Sequence, residues 1–177
     1  MGKVHEATML KYVKIPGEIA ECGVNHGTSS KIMVRVAKEY KRRIWFFDSF
    51  RGMPHSNVHS DLIQYPQGRF DSASADAVLK IVGGYSKANI VVGWLPQVLD
   101  GFTLRFSFVY LDLDHYEGTI QTLRMLWPMI VLGGAILCDD YYPKKRDLAT
   151  QAVREFVDTT GNVKWQGIGN QMILEKL

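Results

Sequence analysis

The sequence predicts an α/β domain: a mostly parallel sheet with helices on both faces, finished by an antiparallel pair. Three observations carry this reading. Short apolar runs alternate with amphipathic stretches along the chain. Two of those runs, residues 106–111 and 134–138, end in acids: Asp112 and Asp114 follow the first, Asp139 and Asp140 the second. Near the end, residues 164–168 and 171–175 flank Gly169-Asn170, a turn pair that suits a β-hairpin. Crossovers between parallel strands are right-handed, so neighbouring strands push their acids out of the same sheet edge.

Taken in order, residues 4–12 form a weak helix, the remnant of a longer element, and Pro16-Gly17 breaks it. Residues 19–24 read as the first buried strand. Gly23 and Gly27 bracket a turn, and Thr28 and Ser29 are N-cap candidates for a helix to about residue 40. Ile32, Val36 and Tyr40 share its apolar face, and Lys41-Arg42-Arg43 closes it, where positive charge suits the helix dipole. Residues 44–47 are the second strand, ending in Asp48. Residues 51–72 are polar, hold Pro54, Pro66, His55 and His59, and show no period; so long a loop reads as a lid or acceptor loop. A helix over 74–82 and a third strand over 89–92 come next, the strand ending at Gly93-Trp94. The acid-tipped strands are joined by a helix over 118–126. Residues 147–158 form an amphipathic helix with Leu148, Ala152 and Phe156 on one stripe. Trp45, Trp127 and Trp165 read as core or hairpin packing, and His5 has no legible role.

With 177 residues and 46% apolar content, the chain makes one domain of ordinary size, residues 1–177. The net charge of +3 and the short basic runs at Lys41-Arg42-Arg43 and Lys144-Lys145-Arg146 read as solvated faces, not a nucleic-acid surface. No apolar stretch reaches the ~18–20 residues of a membrane span, and the N-terminus lacks a signal-peptide core. A cytoplasmic protein is the expectation. Cys22 and Cys138 sit on strands expected two positions apart, about 9–10 Å, too far for a disulfide. Both read as reduced, buried thiols.

The chemistry lies at the strand ends. Ligands of open α/β sheets bind beyond the carboxyl ends of the strands. Four crowded carboxylates repel each other and call for a divalent cation or raised pKa values. Aspartate is a hard oxygen ligand, which favours Mg²⁺, Mn²⁺ or Ca²⁺ over Zn²⁺. The turn GVNHG opens a helix, and its glycines let backbone approach an anionic ligand closely. Asp48, at the next strand tip, is placed to accept hydrogen bonds from a ribose diol. Together they point to an adenosine-bearing ligand beside a metal, an arrangement that suits group transfer to an oxygen acidified by the metal.

The segments PGEIAECGVNHGTSS, FFDSFRGMP, VVGWLPQVL, YLDLDHYEGT, ILCDDYY and AVREFVD resemble the macrocin O-methyltransferase (TylF/MycF/NovP-like) family, in order, over about residues 16–158. The resemblance implies a three-layer, Rossmann-like class I methyltransferase fold. Its seven-stranded sheet has the order 3-2-1-4-5-7-6, with strand 7 antiparallel. It implies S-adenosylmethionine as methyl donor, Mg²⁺ (or Mn²⁺), and a small hydroxylated acceptor, a sugar first. By position, Glu21, Gly23, Asn25, Gly27 and Ser29 would line the methionine end of the cofactor. Asp48, with Ser49 beside it, would hold the ribose, and Gly93 and Trp94 would border the adenine. Asp112, Asp139 and Asp140 would bind the metal. Asp114 would be the general base; His115 is the second candidate, at the register where catechol-type relatives carry a lysine. Tyr141 and Tyr142 read equally as acceptor wall or as packing.

Two local departures stand out. Asn25-His26-Gly27-Thr28 replaces a usual Trp-Arg-Gly-Gly, and Gly118 stands where serine is common. Family members usually carry an N-terminal helical extension and extra lid residues, so the acceptor half is expected to be abbreviated and to borrow from a second copy in a homodimer. Four other readings compete. A haloacid-dehalogenase phosphatase shares the D-x-D, but Tyr116 stands where Thr or Val is expected and no Lys lies between Asp112 and Asp139. A nucleotide-sugar glycosyltransferase fits the glycine turn and Asp48 less well. A nucleotide-binding dehydrogenase would need G-x-G-x-x-G, which is absent. A non-catalytic cofactor-binding relic would have little use for four clustered acids.

Overall fold

The computed structural model describes residues 2–55, 63, 67–142 and 147–177, with side chains from His5 onward. Residues 56–62 and 64–66 of the expected lid, with His59 and Pro66, and the run Lys144-Lys145-Arg146 lie outside the described residues. The elements run α1 (Gly2–Tyr12), β1 (Glu18–Cys22), α2 (Thr28–Glu39), β2 (Ile44–Asp48), α3 (Ala75–Val82) and β3 (Ala88–Val92). Next come β4 (Phe106–Leu111), α4 (Tyr116–Leu126), β5 (Ile130–Cys138), α5 (Leu148–Thr159), β6 (Val163–Ile168) and β7 (Gln171–Lys176). The sheet order is β3-β2-β1-β4-β5-β7-β6. Pairs from β3 to β5 are parallel, and β7 is antiparallel to both β5 and β6. This is the order that the resemblance implies.

The layers arise from strand alternation. In β4, which is buried throughout, Phe108 and Tyr110 face the cluster containing Met9, Met33, Val36 and Val78 of α1–α3, with Val13 just after α1. Val109 and Leu111 face the other cluster, with Ile120, Leu123, Ala152 and Phe156 of α4 and α5. Helices α2 to α5 each present one apolar stripe, and the sheet separates the two cores.

Three expectations need correction. The α1 helix is no loose remnant: Met9, Tyr12 and Val13 are buried in the core, with His5 and Thr8. Its periodicity is weak because two of its inward residues are polar. Thr28 and Ser29 do not cap α2. The cap is Gly27, in the left-handed region at φ 75°, and makes no side-chain bond. Trp165, expected to pack, is 53% exposed on the edge strand β6. The basic run after α2 also does more than face solvent, because the Arg42 guanidinium donates to the Val13 and Ile15 carbonyls and ties down the segment after α1. Cys22 and Cys138 are free and buried on β1 and β5, with β4 between them. Among the described residues, no helix is long and apolar enough to cross a membrane.

Candidate active site

The sheet ladder continues one residue past the strands and sets the site. Gly93 N–H donates to the Asp48 carbonyl at 2.9 Å, and Gly23 N–H to the Phe47 carbonyl at 3.0 Å. Asp112 N–H donates to the Cys22 carbonyl and Asp139 N–H to the Leu111 carbonyl, both at 2.9 Å. Gly93, Asp48, Gly23, Asp112 and Asp139 therefore stand in a row along one edge of the sheet.

At one end of the row the backbone satisfies the charge. Asp48 Oδ2 accepts the amides of Val24 at 2.7 Å and Asn25 at 2.9 Å, and Oδ1 accepts that of Phe50 at 2.7 Å. The carboxylate is the clasp of the glycine turn. Gly23 has φ 86°, and a Cβ there would lie 1.8 Å from the Asp112 carbonyl oxygen, so only glycine fits. Glu21 lies beneath the turn, fully buried, and accepts the hydroxyls of Ser29 and, at 2.6 Å, Ser30. Burial pushes its carboxyl up to about 7; the two serine bonds oppose that shift and the Asp48 charge adds to it.

At the other end, carboxylates crowd together. Asp112, Asp114 and Asp140 each place an oxygen within 4.8 Å of the others. Burial first, then Asp114, Asp139, Asp140 and Glu21, raise the Asp112 carboxyl well above the usual range. Burial and a hydrogen bond shared with Asp140 push Asp114 up to about 8, with Arg69 pulling the other way. Asp114 and Asp140 both adopt left-handed backbone, at φ 60° and 52°. Aspartate tolerates that region better than most residues, and such strain concentrates at functional sites. The Asp140 carbonyl is held by the Thr150 hydroxyl at 3.2 Å, and Tyr142 donates to Asp140 Oδ1 at 3.3 Å.

One cleft joins the two ends. Of the residues anticipated from sequence, Gly23, Asn25, Ser29, Asp48, Ser49, Gly93, Trp94, Asp112, Asp114 and His115 line it. Glu21, Gly27, Asp139 and Asp140 do not. Glu21 sits under the turn, Gly27 caps α2, and Asp140 joins the acid cluster without lining the cleft. Asp139 is buried, with Oδ2 accepting the Tyr110 hydroxyl at 2.6 Å and Oδ1 accepting Gln171 Nε2 at 3.0 Å. The acid cluster that the geometry assembles is thus Asp112, Asp114 and Asp140, whereas the resemblance put Asp139 in place of Asp114. His115 is buried, with Nδ1 2.6 Å from the Leu113 carbonyl, which makes Nδ1 the protonated nitrogen. Tyr141 packs in the core, so of the two tyrosines only Tyr142 touches the acids.

Sequence reasoning missed Leu113, Met53 and Phe70 in the cleft wall, and Tyr110, Gln171 and His5 behind Asp139. Leu113 had a signal, the apolar residue inside D-L-D. The other five had none, because long-range pairing places them.

A seven-stranded sheet of this order, with a glycine turn after β1 and an acid after β2, defines a class I methyltransferase fold. Similarity to solved structures agrees. The O-methyltransferase NovP matches at TM-score 0.83 and 21% identity, over 97% of this chain and 78% of that one. The calicheamicin methyltransferase CalS11 matches at TM-score 0.79 and 22% identity, over 98% and 77%. The macrocin-O-methyltransferase (TylF) family profile matches residues 1–166, and the chain belongs to that family. It is 31% identical over 143 residues to the 8-demethyl-8-(2,3-dimethoxy-alpha-L-rhamnosyl)-tetracenomycin-C 4'-O-methyltransferase of Streptomyces olivaceus, covering 72% of this chain and 54% of the relative. It is 26% identical to the mycinamicin III 3''-O-methyltransferase of Micromonospora griseorubida, covering 83% and 63%. The chain therefore spans less than two thirds of the length of these curated relatives.

Proposed function

We propose that this domain is a divalent-cation-dependent O-methyltransferase that methylates a sugar hydroxyl of a small metabolite, with S-adenosylmethionine as donor. The observation that carries the reading is the single cleft that joins the Asp48 turn to the acids of β4. Two features support a nucleoside cofactor. Asp48 keeps one lone pair, on Oδ1, for a ribose hydroxyl beside the left-handed turn, and Trp94, Leu95 and Leu113 offer an apolar slot for a base. The donor set supports a cation: it is all oxygen, hard and mutually repelling, with Asp112 and Asp114 protonating far more readily than ordinary aspartates. The named relatives act on rhamnosyl and mycinamicin compounds, which supports a sugar acceptor here.

In this reading Asp112, Asp139 and Asp140 would hold the cation. When bound, the cation acidifies the acceptor hydroxyl and the cofactor supplies the methyl group. Asp114 takes the hydroxyl proton as the acceptor oxygen gains its methyl. It lines the cleft beside Asp112, within reach of an acceptor bound there. The closeness of Asp114 to Asp112 and Asp140 favours a second arrangement, with Asp114 as the third ligand. Asp114→Asn separates the two: lost turnover with Mn²⁺ affinity intact means a base, and loss of both means a ligand.

The deciding measurement is calorimetric titration of S-adenosylhomocysteine, with and without Mg²⁺, on wild type and Asp48→Ala. Micromolar binding that weakens at least about 100-fold in the variant is expected, since a charged acceptor and the turn clasp go together. A folded wild type that binds nothing in either metal condition overturns the reading.

A further inference from the structure

Tyr110 lies near the end of β4, and Gln171 opens β7. Cys138 pairs with Met172, so the antiparallel register brings Gln171 opposite Asp139. The Tyr110 hydroxyl donates to Oδ2 of Asp139 at 2.6 Å and Gln171 Nε2 to Oδ1 at 3.0 Å, both bonds buried. The same hydroxyl lies 3.5 Å from Asp112, too long for a good O–H···O bond, so its proton is committed to Asp139. Behind the phenol, His5 of α1 stacks on the ring, centroids 4.1 Å apart and planes 23° from parallel.

We propose that Tyr110 and Gln171 are positioning residues that hold the Asp139 carboxylate in the orientation a divalent cation needs, with the His5 ring serving only to pack behind Tyr110. This rests on the cation-dependent reading above. A strand-tip carboxylate without partners samples several rotamers, and binding a cation must freeze them. Two donors on its two oxygens freeze them in advance and leave each oxygen a lone pair for the cation. Outer partners of this kind are worth about 10–100-fold in metal affinity. Packing alone is a poor explanation of Gln171. It is 2% exposed, and its Oε1 has no partner among the described residues. A buried unpartnered polar atom costs about 1–3 kcal/mol, which Leu at 171 would avoid. The chain retains a group that burdens its stability at the place where it orients one carboxylate.

The test is Mn²⁺ binding, read from the paramagnetic resonance signal of free Mn²⁺. It is made on wild type, Tyr110→Phe, Gln171→Leu and His5→Phe. Each protein's metal-free melting temperature and its affinity for S-adenosylhomocysteine without metal are measured alongside. Tyr110→Phe removes one oxygen and keeps the ring and its stack, so the fold survives it. Tyr110→Phe and Gln171→Leu are expected to weaken Mn²⁺ by about 10–100-fold while leaving cofactor affinity unchanged. His5→Phe, which keeps a ring on Tyr110, is expected to retain Mn²⁺ affinity. Wild-type Mn²⁺ affinity in both Tyr110→Phe and Gln171→Leu overturns the inference and leaves the functional reading standing. A wild type that does not bind Mn²⁺ overturns the cation reading itself, and the inference with it.

Discussion

The two ends of the cleft rest on the same sheet edge, yet the fold treats their charges in opposite ways. Asp48 meets three backbone amides and is satisfied by the chain itself. Asp112 and Asp114 are buried, and the other carboxylates they meet add repulsion to that cost. The difference lies in the turn that leaves each strand. After β1 comes a left-handed glycine turn whose amides point at Asp48. After β4 and β5 come aspartates in left-handed backbone, which point their own charges at each other. One end is complete without a ligand. The other stores electrostatic tension that a cation or protons must relieve.

Gly23 is where the two ends touch, and changing it gives the largest expected effect. A Cβ would collide with the Asp112 carbonyl oxygen at 1.8 Å and its carbon at 2.8 Å, both backbone. Neither can move without dragging the acid end along. Gly23→Ala is expected to cost about 4 kcal/mol or more, or to prevent folding. Gly101→Ala is the control: φ is 78° but nothing lies within 4 Å, so only the backbone penalty of about 1 kcal/mol remains. Equal losses in urea denaturation would mean that the two ends are not joined through this contact.

The completed end was the more legible one in the sequence. A glycine turn and a strand-tip acid are local signals, and the chain spaces them as the fold uses them. The strand order came with the family resemblance, while the residues themselves showed the closing hairpin and the acid-tipped strands. The acid end was legible only as a composition of four carboxylates. Which of them cluster depends on Tyr110 and Gln171, which come together across 61 residues of chain through the β5–β7 pairing. The roles of Ser29 and Ser30 were hidden for a similar reason. Ser29 looked like a cap and Ser30 carried no signal, but a buried Glu21 on the neighbouring strand captures both hydroxyls.

Glu21 is also the exception that can break the comparison, because it is an unsettled charge beneath the settled end. Its folded pKa of about 7 lies above the unfolded value of 4.5. Below pH 4.5 the carboxyl is protonated in both states and costs nothing. As pH rises toward 7 the unfolded chain ionises first, so stability falls across that window and is flat above it. Glu21→Gln removes the penalty, a gain on the order of 2–3 kcal/mol at pH 8 that fades to nothing near pH 4. Melting curves of both proteins across that range check it. A variant offset that is the same at pH 5 and pH 8 would mean that Glu21 is already ionised and well solvated by its serines.

The smallest effect tests whether the acid end is also shaped by packing. Gly118, in α4, would carry a Cβ 2.4 Å from both Cε1 and Nε2 of His115. That ring cannot simply swing away, since Nδ1 is held by the Leu113 carbonyl and the side chain is buried. Replacing a helical glycine with alanine normally gains about 1 kcal/mol from propensity. Here the collision costs about 1–3 kcal/mol, so Gly118→Ala is expected to be neutral to destabilising by about 2 kcal/mol. In a His115→Ala background the collision disappears and the same substitution should stabilise by about 1 kcal/mol. The sign change is the signature of a ring seated on a missing side chain. If Gly118→Ala shifts the denaturation midpoint equally in both backgrounds, His115 is not held there. In that case its place in the cleft wall is set by the Leu113 bond alone. A confirmed coupling would explain why this chain carries glycine at a position where serine is common. Serine would displace the His115 imidazole, which lines the cleft beside Asp114.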